Sequence, residues 1–264
     1  MPAASLEYWI DALQTRGRYS FLRAEALGSS GLSAQAVGKA LQRAVKSGRL
    51  IQPKEYFYVL VPLEYRAAGA PPVAWFIHDL MAAMKIPYYV GLLSAAALHG
   101  VSHQQPQVFQ VLTDRSVRPV MAGRTRITFY ASKYVARAAV LAMKTPTGAM
   151  RVSTAETTVV DLVRFAKAAG HLDHVASVIS ELAGSLEPKR LAAALGVVHD
   201  IPNAQRLGYI FDLVRRRNLS QAVHHWGQRR IKRFQPLRPD QPIEKARENQ
   251  RWRLWINAPV EIEA

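Results

Sequence analysis

The chain has 264 residues, 49% of them hydrophobic, with no cysteine and a formal net charge of +16. That length and apolar fraction suit one large folded domain or two to three modules and exclude a disordered chain. The missing cysteines exclude disulfides, thiolate catalysis and cysteine-ligated zinc, while the excess of positive charge calls for an anionic partner, of which nucleic acid is the commonest.

Leu6, Ile10 and Leu13 recur at helical spacing after Ser5, a candidate cap, and predict a first helix ending near Gly17. Ser20 can cap a short second helix through Leu27, with Gly28–Gly31 as a tight turn. A long helix then spans Ser33 to Ser47, with Gly48 behind it as its stop. Ser33 offers its hydroxyl to the free amides of the first turn. Val37, Ala40, Leu41, Ala44 and Val45 form an apolar stripe, and Gln35, Lys39, Gln42 and Lys46 form the opposite one, with Arg43 beside it. Helix, short helix, turn and longer helix is the helix-turn-helix order. Arg49–Gln52 and Tyr56–Val61 then read as two strands joined at Pro53-Lys54-Glu55, a wing with a basic tip. On this reading Gln35, Lys39 and Gln42 face base edges. Arg18, Arg43, Lys46 and Lys54 face phosphates, and double-stranded DNA is the partner.

Residues 1–66 therefore form a winged helix-turn-helix, and the proline- and alanine-rich stretch 67–73 is the expected linker to a larger domain over 74–264. That domain opens with a helix over 74–85, an extended Tyr88-Tyr-Val and a small-residue helix over 91–98. Val108–Thr113 and Arg126–Tyr130 read as strands around a basic loop holding Arg115, Arg118 and Arg124. Val140–Lys144 and Met150–Val152 are further strand candidates. Ser153-Thr-Ala-Glu156 matches a capping box launching a helix. Helices near 172–183, 187–195 and 203–217 follow, and Trp252–Asn257 alternates like a strand returning to close the sheet. The expected fold is α+β: the winged module, then a mixed domain with a mostly antiparallel sheet and a helical subregion.

Charge is concentrated late. Residues 205–253 carry thirteen Lys/Arg against four Asp/Glu, a net of +9, against +4 over residues 1–70. Arg215, Arg216 and Arg217, then Arg229, Arg230, Lys232 and Arg233, are read as a second nucleic-acid surface rather than merely solvated side chains. The sequence also argues against catalysis. Glu156 and Asp161 diverge on a helix, Pro239-Asp240 and Glu244-Lys245 are too close for a nuclease carboxylate pair, and the phosphate-loop pattern is absent. His99 and His103 have metal-ligand spacing but no third ligand nearby. No cofactor, metal or enzymatic activity is expected. No apolar run is long enough to span a bilayer, and no signal peptide pattern opens the chain, so a cytoplasmic, membrane-free protein is expected.

Several segments together resemble the AbiEi antitoxins, the antitoxin half of type IV toxin–antitoxin systems. They are the N-terminal winged helix, Tyr89-Val-Gly-Leu-Leu-Ser-Ala-Ala-Ala-Leu-His-Gly100, Val152-Ser-Thr-Ala-Glu-Thr-Thr-Val-Val-Asp-Leu162, Pro236-Leu-Arg-Pro239 and the closing Trp-x-Ile-Asn. The second of these is close to the family's Ser-x-x-Glu-Arg-Thr-x-x-Asp pattern, with Thr157 standing where that pattern often has arginine. The resemblance implies a transcriptional autorepressor that binds inverted repeats upstream of its own operon. It also implies a C-terminal domain that counteracts a nucleotidyltransferase-like toxin, without a stable complex. Two alternatives stay open at this stage: a protein-interaction module with the winged helix as scaffold, and a nucleic-acid-processing enzyme.

Overall fold

The computed structural model describes residues 6–101 and 108–262. Its first elements are α1 (Leu6–Thr15), β1 (Ser20–Leu22), α2 (Arg23–Ser30), α3 (Ala34–Lys46), β2 (Leu50–Lys54) and β3 (Phe57–Leu60), with the strands in the order β1-β3-β2. Leu6, Ile10 and Leu13 of α1 meet Phe21, Ala26, Val37, Leu41 and Leu60 in one buried cluster. The apolar stripes of α1 and α3 thus share one core, which fixes what each helix leaves outside. Ser5, the expected cap of α1, lies outside the described residues.

Ser20 does not cap a helix. It pairs with Val59 in an antiparallel ladder, and its hydroxyl donates to Asp79 Oδ2 at 2.5 Å. The second helix starts three residues later because Glu25 satisfies its entry, accepting from the Leu22 amide at 2.7 Å. It runs through Gly28 and reverses at Gly31, whose φ of 63° is cheap only for glycine.

The segment expected as a linker is packed. Ala70 and Val73 are buried, and the Arg124 amide donates to Ala68 O at 3.2 Å. The following elements are α4 (Ile77–Met84), β4 (Tyr88–Val90), α5 (Leu92–Leu98), β5 (Val108–Thr113), β6 (Val120–Ala122), β7 (Thr125–Ala131), β8 (Val140–Thr145) and β9 (Gly148–Ser153). They give a six-stranded sheet of order β6-β7-β5-β4-β9-β8. It is mixed: β4/β5 and β6/β7 are antiparallel, while β5 and β7 run parallel from Val108↔Arg126 to Thr113↔Ala131. The basic loop after β5 contains β6, an edge strand that turns the chain before β7 lies beside β5.

The helical subregion is α6 (Ala155–Arg164), α7 (His171–Leu182), α8 (Pro188–Val198), α9 (Ile201–Leu213) and α10 (Arg217–Gly227). Thr154, not Ser153, caps α6, accepting from the Thr157 amide at 3.3 Å. Ser153 is instead held by Thr158, hydroxyl to hydroxyl at 2.7 Å. The strands β10 (Gln235–Pro236), β11 (Arg247–Asn249) and β12 (Leu254–Ile256) form a separate small sheet, so the Trp252–Asn257 stretch does not close the larger one. Side chains of α9 hold it there. Gln205 Nε2 donates to Trp252 O at 2.8 Å, and Arg206 donates to Pro236 O at 2.9 Å and Leu237 O at 3.0 Å.

The chain divides into two compact units, one of Met1–Val90, Pro106–Val135 and Ala142–Arg151, the other of Gly91–Gln105, Ala136–Leu141 and Val152–Ala264. The first joins the N-terminal helices to most of the large sheet, and this division does not coincide with the 67–73 stretch. The fold is α+β.

Candidate nucleic-acid interface

The site begins with α3. Ser33 Oγ accepts from the Ala36 amide at 3.2 Å, and Gly48 follows the helix with φ 72°. Val37 and Leu41 are wholly buried, and Ala40, Ala44 and Val45 pack against the same cluster. The opposite stripe therefore has to face outward. Gln35, Lys39, Gln42, Arg43 and Lys46 are all exposed, as is Ser33 before them. The arrangement presents amides and cations along a single helix face, the donor set that base edges and phosphates take.

The hairpin behind α3 turns at Glu55-Tyr56, with Tyr56 at φ 63°. Lys54 stands exposed at the end of β2, in register with Phe57. Arg18 is exposed too, but it is ion-paired with Glu25. That pairing neutralises part of the charge the sequence assigns to phosphate binding.

Sequence reasoning missed Arg23. Its amide donates to Tyr56 O at 2.9 Å, its guanidinium donates to Ala34 O at 3.1 Å, and it sits 5.8 Å from the Tyr56 ring centroid. Arg23 thus ties the start of α2 to the first turn of α3 and to the hairpin tip. Gly38 was the available signal. A glycine inside a good helix is unfavourable unless something approaches closely, and a Cβ there would lie 3.2 Å from the Arg23 guanidinium. Arg49 pairs with Asp11 and fastens the far end of α3 to α1.

The C-terminal cations surround α10, a helix absent from the sequence reading. Arg215, at φ 57°, breaks the chain away from α9; Arg216 and Arg217 then open α10. Cations at a helix N-terminus oppose its dipole, so Arg215–Arg217 are not placed there to stabilise the helix. Arg215, Arg217 and Arg251 line one open cavity beside α10, of about 710 Å³. Arg229 and Arg230 line another, of about 770 Å³, with Lys189 and His225; Gln221 borders both. Arg230 stacks 4.9 Å from the Trp226 ring centroid and donates to the Trp226 carbonyl. Lys232 and Arg233 are exposed, and their carbonyls accept from Arg253 at 2.7 Å and Gln205 at 3.0 Å. Arg251, also missed, is held by Asp212 at 3.2 Å and Ser220 at 2.9 Å.

The carboxylates weighed for catalysis are committed elsewhere. Glu156 is buried and accepts from the Glu187 amide at 3.1 Å, and Asp161 is buried against Arg164 at 2.7 Å. His99 Nε2 lies 2.7 Å from Ser153 O, while His103 falls outside the described residues. Among the described residues, no cluster of three or more His, Asp or Glu side chains could hold a metal ion, and no helix is long and apolar enough to cross a membrane.

Residues 89–213 match the model of one family, described as the AbiEi antitoxin C-terminal domain. No curated protein matches the chain. Among solved structures, the crystal structure of the RV2827C protein from Mycobacterium tuberculosis superposes with a TM-score of 0.67 at 13% identity, covering 96% of this chain and 94% of that one. That likeness is one of fold.

Proposed function

We propose, starting from the match of residues 89–213 to the AbiEi antitoxin C-terminal domain, that the whole chain is a DNA-binding autorepressor and antitoxin of a type IV toxin–antitoxin system. Its N-terminal helices and hairpin act as a winged helix-turn-helix on inverted repeats at its own operator. Gln35, Lys39 and Gln42 read base edges, and Arg43, Lys46 and Lys54 grip phosphates. The remainder counteracts a nucleotidyltransferase-like toxin in the cytoplasm without forming a stable complex with it. The C-terminal cations around α10 form a second surface for nucleic acid. No step of this reading needs an enzymatic centre.

The single observation that carries it is α3. One helix is capped at Ser33, buried along Val37 and Leu41, and exposed at all five polar positions of its outer face. Its outward polar side chains are amides and cations with no acid among them, the set that base edges and phosphates take. The test is a mobility-shift assay on the DNA upstream of the operon at fixed salt. Lys39→Ala should weaken operator binding by about 1–3 kcal/mol and relax sequence preference. Unchanged affinity and preference would overturn the reading.

A further inference from the structure

A cavity of about 370 Å³ lies where α6, the start of α7 and α9 meet the loop after β10. Its walls are largely apolar, from Val163, Phe165, Leu172 and Leu237, yet it gathers an unusual set of donors. Arg206 lines it while only 8% exposed, and its three hydrogen bonds go to neutral oxygens, those of Leu237, Asn203 and Pro236. Arg238 lines it as well. Its Nη2 binds Asp173 at 2.5 Å, but its Nε is buried without an acceptor. Arg206 is thus a buried guanidinium whose hydrogen-bond acceptors are all neutral, with only the Asp200 charge to offset its desolvation, and a further anion beside it would lower that cost.

Two further features lie at the same wall. His171 and Leu172 open α7, a twelve-residue helix whose cap position is Gly170, which has no side chain to satisfy the first-turn amides. A helix N-terminus favours negative charge, and Asp173 in the first turn supplies part of it, its carboxyl held below the usual range chiefly by the hydrogen bond from Arg238. Lys167 stands exposed on the rim. The acids nearby are mostly occupied: Asp161 holds Arg164 at 2.7 Å, Asp200 caps α9 through the Asn203 amide at 3.2 Å, and Asp173 holds Arg238. Asp240 on the rim is exposed and is the one opposing charge among the lining residues.

We propose that this cavity is a binding site for a phosphate monoester carried on a small flat apolar body. The phosphate sits among Arg206, Arg238 and the α7 N-terminus, because a phosphate monoester brings more charge and more acceptor oxygens to cationic forks and helix-start amides than a carboxylate does. The apolar body lies against Phe165 and Leu172, and the cavity's size falls within the range of small-ligand sites. The proposal does not depend on the DNA reading.

The test is calorimetric titration of the full chain, without DNA, using phenyl phosphate, inorganic phosphate and benzoate as separate probes. Saturable phenyl phosphate binding, at least about tenfold tighter than either other probe, is expected. Amide NMR shifts confined to 164–172, 203–206 and 237–240 should place it. Lys167→Glu should weaken binding by about tenfold, and Ala166→Phe, which fills the cavity, should abolish it with the melting curve intact. No saturation by about 10 mM, shifts centred elsewhere, or benzoate binding as tightly as phenyl phosphate would each overturn the proposal. So would inorganic phosphate matching phenyl phosphate, or either variant binding like the parent chain.

Discussion

Arg23 lies across Gly38: a Cβ added at that glycine would approach the guanidinium to 3.2 Å. The same guanidinium donates to Ala34 O, one turn earlier on the same helix. A half-buried cation is thereby enlisted to brace α3, alongside the polar stripe that helix presents. Replacing Gly38 with alanine sets two effects against each other. Helix propensity gains up to about 1 kcal/mol, and the contact asks only the flexible end of Arg23 to yield. Gly38→Ala should therefore stabilise the fold by about 0.5 kcal/mol. In an Arg23→Ala background the gain should rise toward about 1 kcal/mol. Paired thermal melts of the four proteins read this directly; a destabilising Gly38→Ala in both backgrounds contradicts it.

Arg18 and Lys54 are both exposed cations near the proposed DNA face, yet only Arg18 is ion-paired, with Glu25. Each free phosphate contact contributes about one unit to the slope of log affinity against log salt. Lys54→Ala and Lys46→Ala should each lower that slope by about one unit and weaken all sequences alike. Arg18→Ala should lower it by much less, because binding must first compete with Glu25. Salt titrations of operator and unrelated DNA would separate these, and an Arg18→Ala slope change as large as that of Lys54→Ala would refute the ranking.

Gly208 in α9 faces the indole of Trp252, which is wholly buried. A Cβ at 208 would come within 2.3 Å of that ring. The indole has no free direction, because its Nε1 donates to Asp212 at 2.6 Å. Gly208→Ala should destabilise the C-terminal unit by about 3 kcal/mol, opposite in sign to Gly38→Ala. Chemical denaturation measures it. A neutral result would mean the ring moves aside, and a changed near-ultraviolet tryptophan signal would reveal that movement.

Burial pushes the Tyr88 phenol up to about 12, opposed by the Arg151 amide and charge and aided by the Asp79 charge. The phenol is nearly inaccessible, 3% exposed, with His78 Nδ1 at 3.2 Å. A group whose folded pKa is raised binds its proton more tightly in the native state. Its contribution is therefore intact below about pH 10, where the unfolded tyrosine titrates, and is lost as pH rises toward 12. The loss should be on the order of 2 kcal/mol. Tyr88→Phe should flatten stability across that alkaline window, at a cost near neutral pH for the lost hydrogen bonds. Denaturant midpoints from pH 8 to 11.5 would check it, and an unchanged slope in the variant would discount Tyr88 as the cause.

The sequence made α3 plain because three signals coincide there: a serine cap, an apolar stripe of strict helical period and a glycine stop. It hid α10 because Arg215–Arg217 read as the end of the helix expected over 203–217, whereas the positive φ of Arg215 closes α9 before them and lets Arg216 and Arg217 open a new helix. Ser20 and Ser153 misled for one reason. A serine hydroxyl serves a cap or a side-chain partner equally well, and Asp79 and Thr158, the partners actually taken, lie 59 and 5 residues away. The alternation of Trp252–Asn257 correctly signalled a strand but not its sheet, since that depends on Gln205 and Arg206 donating across the fold. The phosphate-site candidate was equally illegible, because its donors come from residues 167 to 238 and only burial makes Arg206 notable.

The close approach of residues 67–73 to the β6–β7 turn has a geometric consequence. Gly69 and Gly123 touch backbone to backbone: a Cβ on Gly123 would lie 2.4 Å from Ala68 O, and both glycines hold positive φ. On the proposed DNA reading, a head fastened this way does not swing on a tether. On an inverted repeat, two such heads would act like the jaws of a fixed-width gauge. Adding half a helical turn of DNA between the repeats would then point one jaw at the wrong side of the duplex, while adding a full turn would restore the facing but not the reach.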